Sequence, residues 1–272
     1  MPDTFADTFA DTLPAVPGFL STPMTLLGET RTVFRRGTGP AVIVMSEIPG
    51  ITPQVAGFAT RVANAGFSVW MPQLFGVPMK RMSPLYVVQS LTRACISKEF
   101  KVLASDESSP IVAWLRALAR AAHAECGGPG VGAVGMCLTG NFALAMMLDA
   151  PVIAPVLSQP SLPFCLPGKA AGLHASPAEL AAAHQKIDDD GAKILGLRFT
   201  TDPMCPGARF ERLRAEFGDA FEGIEIDGCH ANPKAPKPAH SVLTTHLIDE
   251  AGEPTRAALD RTLAFLREQL KP

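Results

Sequence analysis

From residue 41 onward the chain alternates short apolar runs with amphipathic stretches. AVIVMS (41–46), FSVWMP (67–72), VGAVGM (131–136) and PVIAPVLS (151–158) carry no charge, as expected of strands buried on both faces of a parallel sheet. AKILGLRFT (192–200) and FEGIEID (221–227) continue the series. Between them lie segments with helical spacing: PQVAGFATRVANAG after Thr52, IVAWLRALARAAHAE after Ser108 and Pro110, LTGNFALAMMLDA, SPAELAAAHQKIDDD, GARFERLRAEFG and the terminal PTRAALDRTLAFLREQL (254–270). Their punctuation agrees. Thr52-Pro53 and Ser176-Pro177 put a capping hydroxyl before a first-turn proline, and Gly66 stands where the first helix should stop. MTLLGETRTVFRR (24–36) is mixed and β-branched, an outer strand pair, whereas 73–104 reads as a long loop with one or two helical pieces. This alternation predicts an α/β protein with a mostly parallel central sheet flanked by helices on both faces.

No composition shift interrupts the pattern, so residues 21–272 read as one domain. Residues 1–20 repeat TFAD and contain no Lys or Arg. They are expected to form a flexible leader, and they lack the basic start and apolar middle of a secretory signal. The six cysteines form no CxxC pair, which together with the missing export signal predicts free thiols in the cytoplasm. With 18% charged residues, a net charge of −2 and no basic stripe, nucleic acid is not an expected partner. No apolar run approaches the ~20 residues that span a bilayer, so neither is a membrane. Only the adjacent Cys229-His230 pair resembles metal-ligand spacing, so no metal or cofactor is expected, and the chain reads as a monomer or small homo-oligomer.

In parallel sheets of this kind chemistry gathers at the carboxyl ends of the strands. There the chain places Glu47-Ile48 after 41–46, Cys137 after 131–136, Asp202 after 192–200, and a long loop with His230, His240 and His246 after 221–227. Thiol, carboxylate and imidazole follow in the chain order of the nucleophile-elbow hydrolases, with Cys in place of Ser. GMCLTG (135–140) has glycines two before and three after the cysteine, leaving room around a strained strand-to-helix turn. A helix beginning there favours a thiolate and, later, an oxyanion. The Leu138 N–H is one oxyanion donor, and Ile48, on the loop after the first buried strand, is the natural second. The plainer reading of the hexapeptide is a tight turn around an inert buried cysteine.

VIVMSEIPGIT, MPQLFG, VGAVGMCLTGNFALA, RFTTDPMCP and AHSVLT together resemble the dienelactone hydrolase family of the α/β-hydrolase fold. The resemblance implies a Cys137-Asp202-His240 triad, with Glu47 beside the thiol controlling its ionisation and Ile48 giving an oxyanion N–H. Two departures stand out. Thr139 replaces a glycine after the Leu of the elbow, which is expected to open the packing slightly. Thr244 stands where members that cleave dienelactone carry an Arg for the substrate carboxylate. Arg81 and Arg93 are available in 73–104, and the lone Tyr86 is a further pocket residue. The expected activity is hydrolysis of a small ester, lactone or thioester through a thiol acyl-enzyme. The alternatives are a carboxylesterase of broader scope, or a non-catalytic redox or binding protein, for which Cys205 is a conceivable partner of Cys137.

Overall fold

The computed structural model describes residues 14–96, 109–163 and 168–272. Most of the expected leader and Ser108 lie outside these residues. Val16, however, is buried in the core and the first strand starts at Leu20, so the packed part of the chain begins inside the stretch read as a leader.

Eight strands form one sheet in the order β1-β2-β4-β3-β5-β6-β7-β8. β1 (Leu20–Leu26) and β2 (Glu29–Arg36) are the outer antiparallel pair expected from 24–36. Their turn, Leu27-Gly28, has positive φ at both positions (52° and 84°), the geometry that matches the twist of a two-residue hairpin. β2 pairs antiparallel with β4 (Ser68–Pro72). From there β3 (Ala41–Met45), β5 (Val131–Met136), β6 (Val152–Ser158), β7 (Ile194–Phe199) and β8 (Phe221–Ile226) run parallel. Every residue of β3, β4, β5, β6 and β7 is buried, which is why all but β7, which carries Arg198, read as continuous uncharged runs, whereas edge strand β8 is mixed.

α1 (Pro53–Asn64) packs on β4 and α3 (Ile111–Cys126) on β3, while α7 (Pro254–Leu270) lies along β5 to β8. Thr52 caps α1, its hydroxyl accepting from Val55 N–H at 3.3 Å. Ser176 and Glu179 form a reciprocal capping box at α5 (Pro177–Asp190), a device worth about 1 kcal/mol. α6 (Gly207–Phe217) leads into β8. In 73–104 the described part holds one helix, α2 (Pro84–Ile96). The helix expected over 138–150 is shorter. A 3-10 turn, Cys137–Thr139, precedes a six-residue α4 (Gly140–Ala145), and the chain then turns through Asp149 at φ 53°. No described helix is long and apolar enough to cross a membrane.

Because β3, β5, β6, β7 and β8 run the same way, their carboxyl ends share one edge of the sheet. Glu47, Cys137, Gln159, Asp202 and the 227–253 loop with His240 all leave from it.

Candidate active site

Cys137 stands at the head of its 3-10 turn with φ 58°, a backbone conformation costly for any residue with a Cβ, by about 1–3 kcal/mol. The surrounding glycines explain how the turn closes. A Cβ on Gly135 would lie 2.0 Å from the Thr139 carbonyl oxygen, and one on Gly140 would lie 2.7 Å from Pro160 Cα. Ser161 N–H donates to the Cys137 carbonyl at 3.1 Å and fixes the turn from the far side.

Thr139 does not loosen this region. It is fully buried, and its hydroxyl accepts from Met136 N–H at 2.9 Å while facing the Met45 carbonyl at 3.1 Å. The side chain ties the end of β5 to the end of β3, so the expected opening of the packing is not found: the hydroxyl gives the added volume a hydrogen-bonding place between two strand ends.

His240 is buried, and its Nδ1 lies 2.7 Å from Asp202 Oδ2. The other oxygen, Oδ1, accepts from Met204 N–H at 2.9 Å, which orients the carboxylate. The Asp202 loop is braced in turn by the buried Arg198, whose Nε donates to the Cys205 carbonyl at 2.9 Å. With Nδ1 on Asp202, the ring's other nitrogen is Nε2, which is buried and lacks a partner of full hydrogen-bond geometry. Cys137, on the same cavity wall, is the other group whose charge reaches the ring. Burial alone would push the imidazole pKa down, but its interactions with Cys137 and with the Asp202 carboxylate hold it well above the usual histidine range.

The other two loop histidines are placed differently. His230 is exposed on the 3-10 turn Gly228–His230 and lies off the main cavity wall. His246 lines the cavity, but both its nitrogens are engaged: Nδ1 accepts from Ser241 N–H at 3.1 Å, and Nε2 lies 2.7 Å from the Pro236 carbonyl. Burial lowers its pKa, in keeping with a neutral ring that accepts on one side and donates on the other.

Glu47 is buried at the floor. Its Oε2 accepts from Ser241 Oγ at 2.6 Å and Gln159 Nε2 at 3.2 Å, and its Oε1 from the Thr244 hydroxyl. The carboxylate thus spends its hydrogen bonds on the histidine loop and the end of β6. Thr244, the residue in the place of an Arg, faces Glu47 and is not on the cavity wall. Reading the residue after every buried strand would have found Gln159. Ser241 and Thr244 left no comparable signal, because their partner is about two hundred residues away in sequence.

The cavity above these groups has a volume of about 960 Å³. Glu47, Ile48, Cys137, His240 and Ser241 contribute to it, Arg81, Met82, Pro84, Val87 and Val88 line one side, and Lys234, Pro236 and Lys237 another. Arg81, Lys234 and Lys237 are exposed and make no ion pair among the described residues. Leu138 is buried beside Cys137, and among the described residues neither its N–H nor that of Ile48 donates to a loop or turn carbonyl. Arg93 belongs to α2, but its side chain lies outside the described residues. Tyr86 is not a pocket residue. Its hydroxyl accepts from Val77 N–H at 2.5 Å and Lys80 Nζ sits 4.1 Å from the ring centroid, so the helical turn that aims Val87 and Val88 into the cavity aims Tyr86 away. Cys205 is fully buried off the cavity wall. Among the described residues no group of three or more His, Cys, Asp or Glu is placed to hold a metal ion.

A sequence model of the Dienelactone hydrolase family matches residues 29–228. No curated protein matches significantly. Among solved structures, a dienelactone hydrolase from Anabaena variabilis is 14% identical, with a TM-score of 0.57, covering 93% of this chain and 99% of its own. A dienelactone hydrolase-like promiscuous phosphotriesterase from metagenomic libraries is 16% identical, with a TM-score of 0.56 over 93% and 98%. The thioesterase domain from the curacin biosynthetic pathway is 9% identical, with a TM-score of 0.54 over 90% and 99%. At these identities the structures speak to the α/β-hydrolase fold, and that fold hosts more than one chemistry.

Proposed function

The chain belongs to the dienelactone hydrolase family and is a hydrolase acting on ester or lactone bonds, and on that premise we propose that Cys137 is its nucleophile, His240 the general base and Asp202 the group that orients it. The observation that supports this reading is the 2.7 Å contact of Asp202 with His240 Nδ1, which leaves Nε2 available as the base, with Cys137 and His240 lining the same cavity. An ionised carboxylate fixes the Nδ1–H tautomer and stabilises the imidazolium that forms.

The steps balance without a metal or cofactor. The Cys137 proton moves to His240 Nε2, and the thiolate attacks the carbonyl carbon, forming a C–S bond as the carbonyl electron pair moves onto oxygen. The N–H groups of Leu138 and Ile48 receive that oxyanion. Collapse expels the alcohol, enol or thiol, which takes the proton from His240. Water then loses a proton to His240, attacks the acyl-thiol carbon and releases the acid, returning the thiol. A thiol nucleophile suits leaving groups of this activated kind. Glu47 holds Ser241 and Thr244, and with them the loop that carries His240.

A cavity of about 960 Å³ is at the upper end of the usual range for small-molecule sites. This favours an esterase of broader scope over one confined to a small lactone. The charges at the rim point the same way. No arginine stands at position 244, and Arg81, Lys234 and Lys237 are exposed. An exposed ion pair is worth about 0–1 kcal/mol, against ~1.5–3 kcal/mol for a buried charge-assisted contact. A carboxylated dienelactone should therefore be favoured over an uncharged activated ester of similar size by less than about tenfold in kcat/KM, with the difference shrinking as salt is added. Steady-state kinetics on an ester and lactone panel at two ionic strengths check this. A larger, salt-resistant preference would mean a buried cationic anchor and a narrower substrate range.

A further inference from the structure

We propose that Gln159 is a positioning residue of the reaction: its side-chain amide locks the loop that carries His240 onto the buried Glu47 carboxylate. The inference rests on His240 being the base. Gln159 follows β6, the neighbour of the strand that delivers Cys137. It is fully buried and held at φ 35°, a left-handed conformation that persists only where the surroundings over-determine it. Its backbone N–H donates to the Leu197 carbonyl of β7 at 2.6 Å.

The side chain has one satisfactory orientation. Val242 N–H donates to Oε1 at 3.3 Å, and the Ser158 hydroxyl donates to the same oxygen. A backbone N–H can only donate, so the amide oxygen must face Val242, and the NH₂ group is turned onto Glu47 Oε2 at 3.2 Å. Glu47 in turn accepts from Ser241 and Thr244. Residues 241, 242 and 244, directly after His240, are therefore gripped by one amide and one carboxylate from the ends of β6 and β3. The imidazole is held at its other end by Asp202. Loss of the amide would leave both Glu47 and Val242 N–H short of a partner among buried groups, and His240 would lose the backbone anchor beside it.

Two substitutions test this. Gln159→Leu keeps the bulk of the side chain but neither polar atom. It is expected to lower kcat about tenfold or more with little change in KM, in protein whose melting curve still shows a folded state. Gln159→Glu sets two carboxyl groups face to face. When protonated, the new side chain reproduces the amide, with a carbonyl for Val242 and an O–H for Glu47. Its activity relative to wild type should therefore recover on acidification, and no such recovery should occur in Gln159→Leu. Glu47 is the titratable group in hydrogen-bond contact with position 159. His246, which accepts from Ser241 N–H, also feels the charges of Glu47, His240 and Asp202, so Gln159→Leu, which adds no carboxyl group, is the reference for whatever these neighbours contribute to the pH profile.

Wild-type kcat in Gln159→Leu, or a flat pH ratio for Gln159→Glu, would overturn the proposal. A flat ratio with a lowered melting temperature would assign Gln159 a merely structural role. If Gln159→Leu does not fold, the pH ratio of Gln159→Glu still decides. His240→Ala measured alongside separates the two readings. Activity in that variant removes the base assignment itself, whereas an inactive His240→Ala beside a fully active Gln159→Leu removes only the role of Gln159.

Discussion

Replacing Cys137 by alanine is expected to lower kcat for an activated ester at least ~10³-fold, because in the proposed mechanism it removes the atom that forms the covalent intermediate. Nucleophile knockouts in triad enzymes lose several orders of magnitude. What remains comes from binding and the oxyanion donors, here the Leu138 and Ile48 N–H groups. The substitution deletes one sulfur from a half-buried side chain, and alanine adopts the φ of 58° at no greater cost than cysteine. The variant should therefore stay folded, so that circular dichroism and melting match wild type while turnover disappears. Near wild-type turnover in folded Cys137→Ala would mean that the elbow cysteine is the inert turn residue of the plainer reading.

The second large effect is expected at His240. Removing the general base should reduce kcat/KM by about 10²–10⁴-fold. Thiol alkylation provides an independent readout. The pKa of His240 is held well above the usual histidine range, chiefly by the Cys137 charge once burial has been overcome. The sign follows directly: the imidazolium persists on the alkaline side of the normal histidine midpoint and is lost only as pH rises through the elevated pKa. Over that window it sets a positive charge beside Cys137. In His240→Ala this charge is gone, so alkylation of Cys137 by iodoacetamide near neutral pH should slow and recover only as alkali generates thiolate directly. His230→Ala is the control. That ring is exposed and off the main cavity wall, and its loss should leave both rates near wild type. A greater loss in His230→Ala than in His240→Ala would reverse the assignment.

The parts of this molecule that local physics controls were readable from the chain. Burial on both faces leaves no charge in β3, β5 or β6, so the strands stood out as apolar runs. The elbow stood out because the backbone approaches within a Cβ radius at two fixed offsets from Cys137, and only glycine fits at Gly135 and Gly140. Caps such as Thr52 and Ser176 act within one helical turn and are visible for the same reason.

What stayed hidden depends on contacts between distant segments. The Glu47 carboxylate meets Ser241, Thr244 and Gln159 only once the sheet has brought three strand ends together. The role of Thr139 likewise depends on β3 lying beside β5. Tyr86 was misplaced because a lone tyrosine near a pocket reads as a lining residue, whereas the rotation of α2 gives its hydroxyl to Val77. The helix after the elbow was overestimated because its apolar residues are buried all round, and such a run has no periodicity to mark its end.

If the thiol of Cys137 carries the acyl group, as proposed, the acyl-enzyme can be trapped. The protein would be mixed with an activated ester, quenched in acid within the first turnover, and its intact mass and peptides measured. One acyl group per chain is expected, mapped to the peptide containing Cys137, formed at least as fast as steady-state turnover and absent from Cys137→Ala. A kinetically competent acyl group on any other side chain, or undiminished turnover by Cys137→Ala, would contradict Cys137 as the nucleophile.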